Sequence, residues 1–232
     1  LAQTYRFNVT NFGVGLGIFA MGLLKKVVLA DGISPYADAV FNAADAGQAI
    51  TLEEAWLGAL AYTLQLYFDF SGYSDMAVGL SWMLNIRLPF NFNSPYRATN
   101  ISEFWRCWHI SLSNFLRDYL YIALGGNRRG EARRYANLLT TMVLGGLWHG
   151  ASWSFVLWGM LHGLYLVTQQ LWSRWVTQRT GFKPVPAVVA PGRLTRLLSW
   201  GITMLAVIVA WVLFRAVSLE GAVTIYSAML AL

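Results

Sequence analysis

The sequence predicts an all-α polytopic membrane protein, and three observations carry that expectation. Of 232 residues, 56% are hydrophobic and only 12% charged, where a soluble domain carries roughly 25% charged residues, so in water the chain could not cover itself with polar surface. The apolar residues gather into runs near the roughly 20 residues that a helix needs to cross the hydrocarbon core. The charges are also segregated: residues 1–26 hold three bases and no acid, 27–86 hold seven acids and no base, and from 87 onward there are fourteen bases against four acids. Eleven Trp, eleven Tyr and thirteen Phe suit aromatic belts at the headgroups and an aromatic-walled interior.

Residues 12–30 form the first expected span, with Gly13, Gly15, Gly17 and Gly22 permitting close helix contact and Lys25 and Lys26 reaching toward an interface. Residues 55–86 are apolar but punctuated by Gln65, Asp69 and Asp75 around Ser71-Gly72, which predicts two shorter helices meeting at a break. Pro89 and Pro95 exclude a regular helix over 87–97. Residues 101–122 open with Asn100 as N-cap and Glu103 three residues on. Phe104, Trp108, Leu112, Phe115 and Tyr119 then recur at helical spacing, which predicts an interfacial or re-entrant amphipathic helix. Residues 136–172 are a 37-residue apolar run with Gly145, Gly146 and Gly150 near its middle. Residues 197–217 form the clearest span, and a last helix starts after Glu220. Lys183 to Gly192, with three prolines, is the linker-like stretch.

Short basic loops favour the cytoplasm, which assigns that side to Lys25/Lys26, Arg128 to Arg134 and Arg174 to Arg196, and the outer side to the acidic stretch 31–54. Contact with anionic lipid explains the basic loops better than nucleic acid does, so the bilayer is the expected partner and nucleic acid is not. One cysteine, Cys107, excludes an internal disulfide framework. The chain starts Leu1-Ala2-Gln3, without an initiator Met or signal peptide pattern, and stops in the apolar Leu230-Ala231-Leu232. It therefore reads as one membrane-embedded domain over 1–232, a fragment with both ends cut.

Three histidines are candidates for chemistry. His149 lies between stretches free of ionisable groups, where a titratable side chain is costly to bury and marks a functional site by default. The alternative is a neutral imidazole bonded to a backbone carbonyl freed by the glycine break. His109 shares a side with Arg106 and Ser113 on the expected amphipathic helix, where a solvated or headgroup-facing histidine would serve equally. His162, thirteen residues from His149, falls on roughly the opposite face of a continuous helix and ranks last. Cys107 and His109, two apart on a helix, point in different directions and cannot chelate one metal ion. No Gly-x-Ser-x-Gly elbow exists either, Gly72-Tyr73-Ser74-Asp75-Met76 coming nearest. Asp69 and Asp75 need partners in lipid, with Tyr73, Ser74, Arg87, Arg97 and Arg106 as the candidates, and serve either a helix-fixing network or a proton relay.

The strings Tyr67-Phe68-Asp69-Phe70-Ser71-Gly72-Tyr73-Ser74-Asp75, Phe104-Trp105-Arg106, Trp108-His109-Ile110-Ser111-Leu112-Ser113, Arg117-Asp118-Tyr119-Leu120-Tyr121-Ile122, Leu124-Gly125-Gly126-Asn127-Arg128 and Leu147-Trp148-His149-Gly150 occur in that order. In this the chain resembles the membrane-bound O-acyltransferase family, in its bacterial alginate-acetylating and teichoic-acid-alanylating branch. The matching blocks fall in residues 62–163. The resemblance implies a helical membrane fold with funnels meeting inside the bilayer, His149 as the family's essential histidine and His109 as its second. Ala123 stands where the family usually has Pro, and Cys107 where a basic residue is common.

Together these readings predict an enzyme of the bacterial cytoplasmic membrane, with several passes and no bound cofactor or metal. It would move an acyl group, acetyl first, from a thioester such as acetyl-CoA to a hydroxyl of an exported polysaccharide such as alginate, or to an extracytoplasmic acetylating partner. His149 and His109 are the expected catalytic residues, and Asp69, Asp75, Arg106, Ser113, Arg117 and Trp148 the expected substrate contacts. Arg106, Arg117 and Arg128 to Arg134 suit an anionic donor. The alternatives are a transporter or channel whose polar pathway runs through Asp69, Asp75 and His149, and a non-catalytic scaffold for an outer acyltransferase.

Overall fold

A computed structural model describes residues 7–181 and 192–232, and the expected linker lies outside them except for Gly192. Among the described residues the structure is helical, with no strand. The chain divides into two compact units, residues 1–93 with 215–232, and residues 94–214.

The first unit is built on one long helix, α1 (Val9–Leu23), which passes through a π-helical segment (Leu24–Ala30) into α2 (Asp31–Asp45). Asn8 caps its start by accepting from the Asn11 amide at 3.0 Å. α3 (Leu52–Met83) returns alongside it. Thr51 begins α3 with a complete capping box, its hydroxyl accepting the Glu54 amide while the Glu54 carboxylate accepts the Thr51 amide at 2.8 Å. The expected break at Ser71-Gly72 is absent, because Gly72 serves helix contact instead. A Cβ on Gly22 would lie 2.6 Å from the Gly72 carbonyl oxygen, and one on Gly15 would lie 2.5 Å from that of Gly79. The two glycine pairs, seven residues apart on each helix, bring antiparallel backbones together. Gly13 and Gly17 face open space and take no part.

The same face carries the polar groups. Lys25 bonds Asp75 and Lys26 bonds Asp69, each at 2.6 Å, so the lysines turn inward to α3 and supply the carboxylates' partners in place of the expected arginines, Tyr73 or Ser74. α9 (Leu219–Met229) completes this unit. The Asp45 carboxylate accepts from the Ser218 hydroxyl and amide at its start, and Arg215 pairs with Asp38 at 2.7 Å.

In the second unit, residues after Ser94 form a 3-10 turn (Pro95–Arg97) and then α4 (Ile101–Cys107). Asn100 caps α4 as expected, accepting the Glu103 amide at 2.8 Å, but Glu103 reaches back to Thr99, bonding its amide and hydroxyl. The expected single helix over 101–122 is three pieces. α4 stops at Trp108, His109 takes a left-handed conformation at φ 42°, α5 (Ile110–Phe115) restarts, and a π-helical segment (Leu116–Tyr121) follows. Helical spacing survives such a break, so periodicity alone does not expose it.

α6 (Glu131–His149) and α7 (Trp153–Thr180) form a hairpin turned by Gly150 to Ser152. A Cβ on Gly159 would strike the Met142 carbonyl and one on Gly146 the Phe155 carbonyl, while Gly163 abuts Leu139. At the base of the hairpin Arg174 pairs with Glu131 and reaches the Tyr135 hydroxyl at 3.1 Å. α8 (Arg193–Arg215) runs antiparallel to α7, Trp211 beside Trp158 and Phe214 beside Phe155.

Two helices, Val9–Asp45 and Arg193–Arg215, are long and apolar enough to cross a membrane. α3, α6 and α7, which hold most of the other expected spans, are not among them, and they carry polar residues such as Gln65, Asp69 and Asp75 in α3, Arg133, Arg134 and Asn137 in α6, and Gln169, Gln170 and Arg174 in α7. Large apolar side chains still face outward, among them Leu57 at 65% and Ile202 at 70% exposure.

Replacing Gly72 with Val should force α1 and α3 apart and lower stability by about 1–3 kcal/mol. Gly13→Ala should be neutral or slightly stabilising. Thermal unfolding of the two variants in detergent, read against the parent, measures the difference.

Candidate active site

His149 is the last residue of α6, at the tip of the hairpin. The Gly146 contact lets α7 approach closely enough that its first turns wall the imidazole. Phe155 stands 6.1 Å away, Trp158 5.3 Å edge to face, and Phe214 of α8 5.0 Å. Trp148, 64% exposed, lies 5.1 Å from the ring on the open side. His149 is half-buried, and no described residue hydrogen-bonds its ring nitrogens. The alternative of an imidazole tied to a freed backbone carbonyl is therefore not what the structure shows.

His109 lies within electrostatic reach of His149. Its left-handed backbone, which non-glycine residues rarely adopt, turns it out of the helical row that would have aligned it with Arg106 and Ser113. Ser111 approaches its Nδ1 at 3.5 Å, and the Ser113 hydroxyl donates instead to the Trp108 carbonyl at 3.2 Å. Arg117 is exposed and bound to its neighbour Asp118 at 2.7 Å, while Arg106 is exposed without a carboxylate among the described residues. Asp69 and Asp75 belong to the other compact unit, in their lysine pairs. Of the expected contacts, the structure thus brings Trp148 to His149, and His109 near it.

Sequence reasoning misplaced His162. It assumed one helix from 136 to 172, whereas the turn at Gly150 reverses the chain and brings both histidines against Trp158, His162 at 5.0 Å. His162 is fully buried, its Nδ1 accepting the Trp105 indole N–H at 3.3 Å. Phe104 stacks on it, and Trp211 lies 6.1 Å away. The Trp105 bond spans 57 positions, and no local signal announces it. Among the described residues no three His, Cys, Asp or Glu side chains are grouped to hold a metal ion.

In a comparison of the whole chain, the model of the membrane-bound O-acyltransferase family matches residues 2–212. The chain belongs to the membrane-bound O-acyltransferase family. It is 46% identical over 225 residues to a peptidoglycan O-acetyltransferase of Helicobacter pylori, covering 97% of this chain and 40% of that protein. It is 49% identical over 218 residues to a probable alginate O-acetylase of Azotobacter vinelandii, covering 94% and 40%. A teichoic acid D-alanyltransferase of Streptococcus thermophilus shares 31% over 209 residues, covering 84% and 49%. The chain thus spans about two fifths of the first two relatives. As a family member it is a helical membrane protein, and its own Leu147-Trp148-His149-Gly150 run forms the hairpin tip.

Because His162 fills a closed aromatic cluster, His162→Ala should cost about 3 kcal/mol, in the range of large core truncations. His149→Ala, at a half-open tip, should stay within about 1 kcal/mol. Tryptophan fluorescence during thermal unfolding separates the two.

Proposed function

We propose that this chain is part of a multi-pass acyltransferase of the bacterial cytoplasmic membrane. It would move an acyl group, acetyl in the first instance, from a cytoplasmic thioester such as acetyl-CoA to a hydroxyl of an exported polysaccharide, or to an extracytoplasmic acetylating partner. The observation that carries this reading is His149 itself, an imidazole walled by Phe155, Trp158 and Phe214 yet hydrogen-bonded to no described residue. A ring held by packing alone keeps a nitrogen free for a substrate.

In this mechanism the acceptor oxygen attacks the thioester carbonyl while a ring nitrogen of His149 takes its proton. The new C–O bond forms, the C–S bond breaks, and the imidazolium returns the proton to the departing thiolate. A neutral imidazole suits that exchange near pH 7, and a positioned base contributes about 10² to 10⁴-fold. Holding both reactants beside dry aromatic walls supplies much of the remainder. His109 would orient the acceptor or face the carbonyl oxygen. The acceptor class follows the named activities of the relatives, on alginate, peptidoglycan and teichoic acid.

The polar-pathway alternative draws no support from Asp69 and Asp75, whose carboxylates are held by lysines.

In the full-length protein, His149→Ala should reduce polymer acylation at least about a hundredfold with membrane insertion and unfolding temperature unchanged. Mass analysis of the polymer from cells carrying the variant reads this directly, and normal acylation overturns the proposal.

A further inference from the structure

The second unit contains a cavity of about 320 Å³ lined by Arg97, Thr99, Arg193, Arg196, Leu197 and Trp200. Three guanidinium groups from segments almost a hundred residues apart thus meet in one place. Residues 94–214 hold twelve Lys and Arg but only three carboxylates, and each carboxylate is engaged elsewhere. Asp118 holds Arg117, Glu131 holds Arg174, and Glu103, the nearest to this cavity in sequence, is turned to the Thr99 amide and hydroxyl. No described carboxylate pairs with any of the three arginines.

The placement is also unfavourable by itself. The first turn of a helix carries a partial positive charge and favours acids. α8 opens instead with Arg193 and Arg196 and has no acid in its first turn. Preference of basic loops for the cytoplasm explains positive charge in this stretch. It does not explain why Arg97, from before α4, is brought to the same cavity. A bound anion would relieve both the mutual repulsion and the clash with the helix end.

We propose that this cavity binds a phosphate group. Arginine forks match phosphate oxygens two bonds at a time, and the partial positive charge at the start of α8 adds to theirs. Leu197 and Trp200, the indole fixed by its bond to the Tyr96 carbonyl at 2.8 Å, give the bound molecule an apolar wall beside the charge. The phosphate belongs either to an anionic phospholipid or to a soluble phosphate ester. The site is separate from the chemistry at His149, since Arg196 and Phe214 stand 18 residues apart on α8, about 27 Å at 1.5 Å per residue. It does not rest on the acyltransfer reading.

Two binding experiments on the full-length protein test it, one per source. Native mass spectrometry in detergent counts retained phosphatidylglycerol, with phosphatidylcholine as the comparison lipid. Titration with inorganic pyrophosphate, followed by calorimetry, reports a soluble phosphate. In at least one arm the parent should bind saturably, and Arg193→Gln/Arg196→Gln should weaken binding at least about tenfold, the scale of one charged hydrogen bond. Arg97→Gln, away from α8, should do the same, and Arg179→Gln, exposed on α7 and outside the cavity lining, should leave binding unchanged. Arg97, Arg179, Arg193 and Arg196 are all exposed, so unfolding temperatures should match the parent. No saturable binding in either arm, or equal weakening by Arg179→Gln, overturns the proposal.

Discussion

The second unit depends on one contact, the approach of α6 to α7 at Gly146, Gly159 and Gly163, where side chains are absent and backbones meet. In lipid, apolar side chains gain little by leaving one apolar neighbour for another, and close packing is what holds helices together. The glycines make that packing possible, and its result is chemical. It reverses the chain at Gly150, leaves His149 on the tip, and brings Phe155 and Trp158 against it. The site is a by-product of a tight turn.

The first unit uses the same device with a different cargo. The Gly15–Gly79 and Gly22–Gly72 contacts bring α1 and α3 close enough for Lys25 and Lys26 to reach Asp75 and Asp69. A charge left alone in a low-dielectric surrounding is expensive, and each of these four is neutralised across the helix pair. Arg215 repeats the pattern, paired with Asp38 and set over Phe41 and Tyr62. What looked in sequence like a polar thread through a span is a set of rivets.

Much of the fold was legible from local chemistry. Asn100 and the prolines at 89 and 95 announced a helix start and an irregular stretch, and the apolar run near 197–217 became α8. Glycine was harder to read, because one residue type serves two opposite ends. Gly150 breaks a helix while Gly72 fastens one, and only the partner backbone tells them apart. The break at His109 was hidden because apolar spacing continued across it. The lysine partners of Asp69 and Asp75 lie more than forty residues away, and no periodicity reaches that far. His149 stood out in the sequence as an ionisable residue in the wrong solvent, while its place at the tip of a hairpin did not. The burial of His162 beside it followed only from the hairpin.

The three helices of the second unit share a polarity. The Arg128 to Arg134 cluster, Arg174, Arg193 and Arg196 lie toward one end of the up-down-up arrangement, and His149 with Phe214 toward the other. The distance along α8 is close to the thickness of a bilayer's hydrocarbon layer, about 30 Å. A molecule gripped by its anionic end at the arginine rim could offer its far end to His149 only on an arm of comparable length. The length of α8 thus works as a spacer, keeping a phosphate held at the arginine rim a membrane's depth away from the imidazole.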